Sequence, residues 1–150
     1  MGERDKGLVE FRGRAMIAHV LQRMSSQVDE LLINANRNLD RYAQFGHRVI
    51  RDTIEGHAGP LAGLEAGLTH ARNDLVACVP CDAPLLPMDL VARLHQALEA
   101  AGADVAIAET GGRTHPVFCL ARRSAQPALH SYLSAGGRKA DGWYTSLIVA

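Results

Sequence analysis

The chain has 150 residues, 47% of them hydrophobic and 21% charged, with 16 Lys and Arg set against 16 Asp and Glu. That length and mixture fit one ordinary domain with a real core and exclude a disordered polymer. Zero formal charge argues against nucleic acid or an anionic membrane as the main partner, and no apolar run reaches the roughly 18 residues of a membrane span. The polar opening residues do not read as a secretory signal. Three cysteines without regular spacing favour reduced thiols, and hence a cytoplasmic setting, over a disulfide framework.

Taken in order, residues 1–8 form a polar, glycine-containing loop with no strand in front of it. After a short apolar patch at Leu8, Val9 and Phe11, Gly13 turns the chain. Ile17, Val20, Leu21 and Met24 then share one face of a helix predicted over 14–25. Residues 28–36 read as a buried strand that ends in Asn34 and Asn36. A short helix over 38–45 is closed by Gly46, glycine being favoured after a helix end. A strand over 47–52 ends in Asp52, and Pro60 opens the next helix, where a missing N–H costs nothing. Leu61, Leu64, Leu68 and Ala71 line its inner face.

The run from Leu75 to Val79 is wholly apolar, which suits a strand buried on both faces. It ends at Asp82, with Pro84 and Pro87 holding the backbone extended beyond. A helix to residue 101 follows and stops at Gly102; a strand over 104–109 and a turn over 110–114 come next. Pro116 leads a strand over 116–121, a first strand position that suits proline. A helix over 124–134 ends at Gly136-Gly137, and the chain closes on the apolar run 146–150.

Strands alternating with helices predict an α/β domain of three layers, α/β/α, with a mainly parallel sheet. Right-handed crossovers place successive strand ends on one edge, and ligands of open α/β sheets bind beyond the carboxyl ends of the strands. Asn34, Asn36, Asp52 and Asp82 therefore gather at one candidate binding edge. A carboxylate such as Asp82 suits magnesium, a hard cation that also bridges substrate phosphates; the plainer alternative is a turn cap before Pro84. The opening loop has no strand to feed it and the closing run has nothing to turn into. The expectation is a single domain over 1–150, incomplete at both termini, with its first strand missing. Cys78-Val79-Pro80-Cys81 matches the pattern of thiol–disulfide enzymes. Within a strand, however, an offset of three points the two thiols to opposite faces, and no helix N-terminus activates either. Inert thiols are expected.

Met1-Gly2-Glu3-Arg4-Asp5-Lys6-Gly7-Leu8, Asn34-Ala35-Asn36-Arg37, Asp52, Gly59-Pro60-Leu61-Ala62-Gly63 and Pro80-Cys81-Asp82-Ala83-Pro84 occur in order and at suitable spacings. With His115-Pro116 and Gly137-Arg138-Lys139 they closely resemble the molybdenum cofactor guanylyltransferases over essentially the whole chain. The resemblance implies a Rossmann-like nucleotidyltransferase fold. It also implies transfer of GMP from GTP to molybdopterin-bound molybdenum, giving the guanine dinucleotide cofactor and pyrophosphate. Magnesium is the implied cofactor, and GTP and the molybdopterin form of the molybdenum cofactor are the implied substrates. Cofactor-synthesis proteins and molybdoenzyme chaperones are the implied partners, with no nucleic acid and no membrane. Two features depart from the family. Its first strand and Leu-Ala-Gly-Gly-x-x-x-Arg-Met-Gly loop are represented only by Met1-Gly2, and its late Asn-x-Asn-Thr-Pro segment is absent. The alternatives are an inactive fragment that at most binds nucleotide or a partner, and a related cytidylyl- or sugar nucleotidyltransferase.

Residue by residue, the resemblance makes Lys6 the phosphate-binding lysine, suited to charge on the α-phosphate and departing pyrophosphate. Asn34 and Asp52 become guanine contacts, an amide offering donor and acceptor and a carboxylate accepting from base N–H groups. Asp82 becomes the magnesium ligand. His115, Arg138 and Lys139 fall on the pterin side. Each has a structural alternative: a solvated lysine, a strand-end turn, a loop cap, an ordinary strand histidine or a helix boundary. Gly59 and Gly63 permit close backbone approach or simply pack.

Overall fold

The computed structural model describes residues 4–56 and 59–150, so Met1-Gly2-Glu3 of the first motif lies outside the described residues. A 3-10 turn at Lys6–Leu8 leads into a hairpin of β1 (Glu10–Phe11) and β2 (Arg14–Ala15). Arg12 and Gly13 connect them at φ of 50° and 78°, the two-residue left-handed turn that matches strand twist. The hairpin takes the first residues of the predicted helix, and α1 (Met16–Ser25) begins directly after it, burying Ile17, Val20 and Met24. Then come β3 (Leu32–Asn34), α2 (Leu39–Ala43), β4 (Arg48–Ile50), α3 (Pro60–His70) and β5 (Leu75–Cys78). The chain continues through α4 (Leu90–Ala101), β6 (Val105–Thr110), β7 (Arg113–Arg122), α5 (Gln126–Ser134) and α6 (Ala140–Tyr144). Gly102 closes α4 at φ 57°, donating its N–H to the last carbonyls of the helix.

Alternation along β5 makes the layers. Leu75, Ala77 and Val79 pack with Val20, Met24, Leu94 and Leu98 of α1 and α4. Val76 and Cys78 point the other way, into the cluster of Leu64 and Leu68 from α3, Leu129 and Leu133 from α5, and Trp143 from α6. With both faces covered, the strand has to be apolar throughout, and the three-layer expectation holds. Among the described residues no helix is long and apolar enough to cross a membrane.

Strand direction is where the sheet differs from the expectation. β3 and β4 are parallel, and the C-terminal run joins β6 in parallel through Val149 and Val105. β7, however, lies between β5 and β6 and runs antiparallel to both. The cause is the tight Gly111-Gly112 turn, which joins β6 to β7 as a hairpin and so forces reversal. β7 also starts earlier than predicted, at Arg113. Pro116 therefore falls in a register irregularity opposite Ile107 and Ala108, where a residue lacking an N–H disturbs no ladder. The β3–β4 pair and the β5–β7–β6 ladder are separate pieces, and β3 and β5 flank a cavity of about 950 Å³ whose lining includes Ile17, Met24, Leu64, Ala77 and, at its polar end, Asn34.

The α4 side of the core is testable at Leu98, which is 0% exposed. Leu98→Ala is expected to lower stability by about 2–5 kcal/mol in urea unfolding. Leu85→Ala, at a side chain 58% exposed, should stay within about 0.5 kcal/mol.

Candidate active site

The parallel register sets Asn34 opposite Ile50, so β3 and β4 end at the same rim. Asp52 follows β4 and turns its carboxylate back across both strands. Asn34 Nδ2 donates to one carboxylate oxygen at 3.0 Å and Asn36 Nδ2 to the other at 2.9 Å. The Asp52 N–H in turn donates to Asn36 Oδ1 at 3.0 Å. A carboxylate offers about four acceptor sites, so this arrangement leaves Asp52 capacity for a ligand N–H. Two nearby glycines serve different ends. Gly59 takes φ 76° before α3, a conformation L side chains avoid, with open space where a Cβ would point. Gly63 has an ordinary helical backbone, but a Cβ there would lie 2.7 Å from Asn34 Oδ1. The first glycine is conformational; the second makes room for Asn34.

A second group holds the segment that carries Lys6. Asp5 accepts from the Tyr42 hydroxyl and from Asn38 Nδ2 at 3.0 Å, and Arg37 Nε lies 3.9 Å away. Burial, reinforced by Asp5, raises the Tyr42 phenol well above its ordinary value. Gly7 is buried where a Cβ would come within 2.8 Å of the Tyr42 hydroxyl and 2.9 Å of Cys81 Sγ. The loop is thus pressed between α2 and the turn after β5, and that turn carries Asp82. Lys6 is exposed and Asp82 half-buried; among the described residues neither side chain has a hydrogen-bond or ion-pair partner. Asp5 was visible beforehand only as a motif neighbour of Lys6, and Tyr42 carried no signal of its own.

The reversed β7 brings His115 to this edge. Cys119 faces Cys78 across the ladder, and His115 precedes Cys119 as Asp82 follows Cys78, so both project past the same rim. His115 Nε2 lies 2.7 Å from Thr110 Oγ1, and its ring meets Phe118 edge-on. Arg138 is engaged elsewhere: Nη1 donates to the carbonyls of Leu133 at 3.0 Å and Gly137 at 2.6 Å, closing the C-terminus of α5. Lys139 is exposed, and its carbonyl accepts from the Tyr132 hydroxyl at 2.6 Å. No contact joins either cation to Asn34, Asp52 or Asp82 among the described residues.

The two cysteines of the Cys78-Val79-Pro80-Cys81 pattern do face different clusters. β5 ends at Cys78, however, and Cys81 lies in the turn beyond. The strand expected to run to Asp82 is thus shorter than predicted, and the turn, rather than strand alternation, separates the two thiols. Cys78 packs on the α3–α5 side and Cys81 beside Tyr42 on another cluster. Burial pushes the Cys78 thiol up to about 11 and Cys119 well above its usual value. Cys81 is raised by burial and then by the charges of Asp82 and Asp5.

One residue the sequence reading passed over is Glu65 on α3, which is 1% exposed. Its carboxylate accepts from Thr53 Oγ1, from Gln126 Nε2 at 2.8 Å and from Thr69 Oγ1 at 3.0 Å, with His130 Nδ1 also at 3.0 Å. Burial alone would raise this carboxyl. The hydrogen bonds from Thr53, Gln126, His130 and Thr69 outweigh burial and hold it below the usual range.

A family model described as a MobA-like NTP transferase domain matches residues 1–147. A molybdenum cofactor guanylyltransferase of Shewanella sp. (strain ANA-3) is 51% identical over 144 residues, spanning 96% of this chain and 73% of that protein. The enzyme of the same name from Shewanella frigidimarina is 46% identical over 150 residues, spanning 100% of this chain and 76% of that protein. Among solved structures, molybdopterin-guanine dinucleotide biosynthesis protein A of Archaeoglobus fulgidus superposes with a TM-score of 0.79 at 21% identity, covering 97% of this chain and 73% of that one. The 2-C-methyl-D-erythritol 4-phosphate cytidylyltransferase of Thermus thermophilus superposes at 0.71 with 18% identity, covering 97% and 81%. At such identities the two structures establish the Rossmann-like nucleotidyltransferase fold.

A folded-state carboxyl held below its unfolded value stabilises the protein above the unfolded pKa, and that stabilisation is lost as pH falls through the depressed value. Glu65→Gln should therefore be less stable than wild type at pH 7 by about 1–3 kcal/mol. The gap should narrow below about pH 4.3, where the carboxyl of the unfolded chain begins to take up a proton that the folded carboxyl still refuses. Urea melts of both proteins at pH 7 and pH 3 check this; a constant gap would show that charge is not what Glu65 contributes.

Proposed function

This chain belongs to the MobA-like NTP transferase family, and from that premise we propose that it transfers GMP from GTP to molybdopterin-bound molybdenum, forming the guanine dinucleotide cofactor and releasing pyrophosphate. The observation that carries the reading is similarity, over nearly all of this chain and about three quarters of their length, to guanylyltransferases of that name. The polar rim supplies the chemistry. Asn34 and Asp52 take the guanine, Asp52 accepting from base N–H groups with the sites that Asn34 and Asn36 leave open. Lys6 faces the phosphates as a compact ammonium. His115, Arg138 and Lys139 take the pterin side, Arg138 Nη1 also bracing the segment after α5 through the carbonyls of Leu133 and Gly137.

Magnesium fits Asp82. The carboxylate stands past the end of β5 with no protein partner among the described residues, which also hold no cluster of three or more metal-ligating side chains. An ion that takes one or two protein carboxylates and fills its shell with water and phosphate oxygens suits such a position. When bound, it supplies neutralisation of phosphate charge.

In the transfer, an oxygen of the molybdopterin phosphate attacks the α-phosphorus of GTP in line. The bond from that phosphorus to the oxygen bridging the β-phosphate breaks, and pyrophosphate departs with the electron pair. The attacking oxygen is already ionised, so no strong general base is required of the chain. Its contribution is alignment of the two substrates and offset of developing charge, by Lys6 on the phosphates and by the Asn34–Asp52 pair on the base. One nucleotidyltransferase domain over 1–150, a cytoplasmic setting, and exchange with cofactor-synthesis proteins and molybdoenzyme chaperones belong to the same proposal.

Calorimetry with magnesium and GTP, ATP or CTP tests the base reading: heat is expected with GTP, and equal or absent heats for all three would sink it. A preference for CTP would point to a cytidylyltransferase instead. Asp52→Asn should weaken GTP binding about tenfold, and Asp82→Asn should cut guanylyl transfer by about 100-fold or more. Gly63→Ala should displace the Asn34 amide and weaken GTP about 3- to 10-fold. Its melting temperature should fall only slightly, because the helix gain of alanine over glycine, about 1 kcal/mol, offsets much of the lost Asn34–Asp52 hydrogen bond.

A further inference from the structure

Glu65 is a buried charge that guanylyl transfer does not use. Of its partners, Gln126 and His130 fasten α5 to α3, two helices already packed through Leu64, Leu68, Leu129 and Leu133. Thr69 lies on the same helix as Glu65 itself. Thr53 is different. It is exposed, lies in the irregular segment after β4, and directly follows Asp52. Residues 52 and 53 are consequently gripped from opposite directions: the Asp52 carboxylate by Asn34 and Asn36, the Thr53 hydroxyl by Glu65. With consecutive Cα atoms a fixed distance apart, anchoring both side chains leaves the peptide between them little freedom.

The geometry points to Glu65 as a positioning residue for nucleotide recognition: by accepting the Thr53 hydroxyl it fixes the Asp52 backbone, and with it the direction in which the Asp52 carboxylate meets a bound guanine. This rests on the reading of Asp52 as a base contact. Only a carboxylate serves the purpose well. It can accept from all four surrounding donors, whereas an amide of the same shape turns an NH₂ toward donor groups. Burying that charge is costly unless it is fully hydrogen-bonded, and here it is.

The test is GTP and ATP binding by calorimetry with magnesium, on wild type, Asp52→Asn, Thr53→Val, Thr53→Ser, Glu65→Gln and the Thr53→Val/Glu65→Gln double variant, with a thermal melt of each. Thr53→Val, which keeps the side-chain shape, should weaken GTP about fivefold and leave ATP unchanged, so the GTP:ATP ratio falls. Thr53→Ser should restore the ratio. Glu65→Gln should show the same loss, and the double variant should lose no more than Glu65→Gln alone. If Glu65→Gln lowers the melting temperature while the GTP:ATP ratio stays at wild type in every variant but Asp52→Asn, the proposal is overturned and the base reading survives. If Asp52→Asn leaves the ratio unmoved as well, both fall. Should Glu65→Gln fail to fold, the contrast between Thr53→Val and Thr53→Ser decides alone.

Discussion

One carboxylate held between two amides keeps the polar rim in order. Hydrogen bonds to a charged group contribute about 1.5–3 kcal/mol each against about 1 for neutral pairs, so Asp52 outweighs any other acceptor near Asn34 and Asn36. Because β3 and β4 are parallel and in register, their ends arrive together, and the Asn34–Asp52–Asn36 knot ties them at that point. α3 must then pass close beneath. Gly63 meets that demand by having no Cβ to push against the Asn34 oxygen. The helix in turn carries Glu65 to the far side of the same loop. Strand register, glycine placement and a buried charge thus meet around one short contact between loop ends.

The reversed strand completes the rim from the other half of the molecule. A fully parallel sheet brings only strand C-termini to the binding edge, followed by loops. Here the β6–β7 hairpin runs past it, and β7 presents its early residues there, with His115 braced by Thr110 and Phe118. The Pro116 irregularity re-aims this overhang without breaking the ladder from Cys119 onward, where β7 pairs regularly with β5. The same hairpin also buries Cys119 and Ala121 against α3 and α5, so the arm that reaches the rim is anchored in the core.

Local chemistry decides what could be seen in the sequence. Asn34, Asp52 and Asp82 each close or closely follow a short apolar run, so their placement at or just past strand ends needed only periodicity and a connection rule. Pro60, Gly46 and Gly102 marked helix boundaries through their own backbones. Residues whose roles depend on distant partners were not legible. Glu65 sits between Leu64 and Ala66 like a surface interruption of an apolar face, and its partners Thr53, Gln126 and His130 come from separate elements. Asp5 finds Tyr42 and Asn38 across the loop. The direction of β7 was hidden because a proline read as a strand start, while pairing actually begins at the glycine turn. The contacts of Arg138 Nη1 with the carbonyls of Leu133 and Gly137 were equally hidden.

The thiols are not activated for chemistry. A nucleophilic cysteine needs its pKa lowered by a cation or a helix N-terminus. Here burial raises all three, and Cys81, which comes nearest the rim, is raised further by Asp82 and Asp5. After burial, the charges of Asp82 and Asp5 are what disfavour a thiolate at Cys81, the sign of potential that suits the magnesium proposed for Asp82. Phosphoryl transfer from a triphosphate asks for that arrangement: the nucleophile and the leaving group bring their own charge, and the protein supplies fixed positions and compensation. Each rim group is held by a neighbour that does not react: Asp52 by the two asparagines, the Lys6 loop by Asp5 and Tyr42, and Thr53 by Glu65.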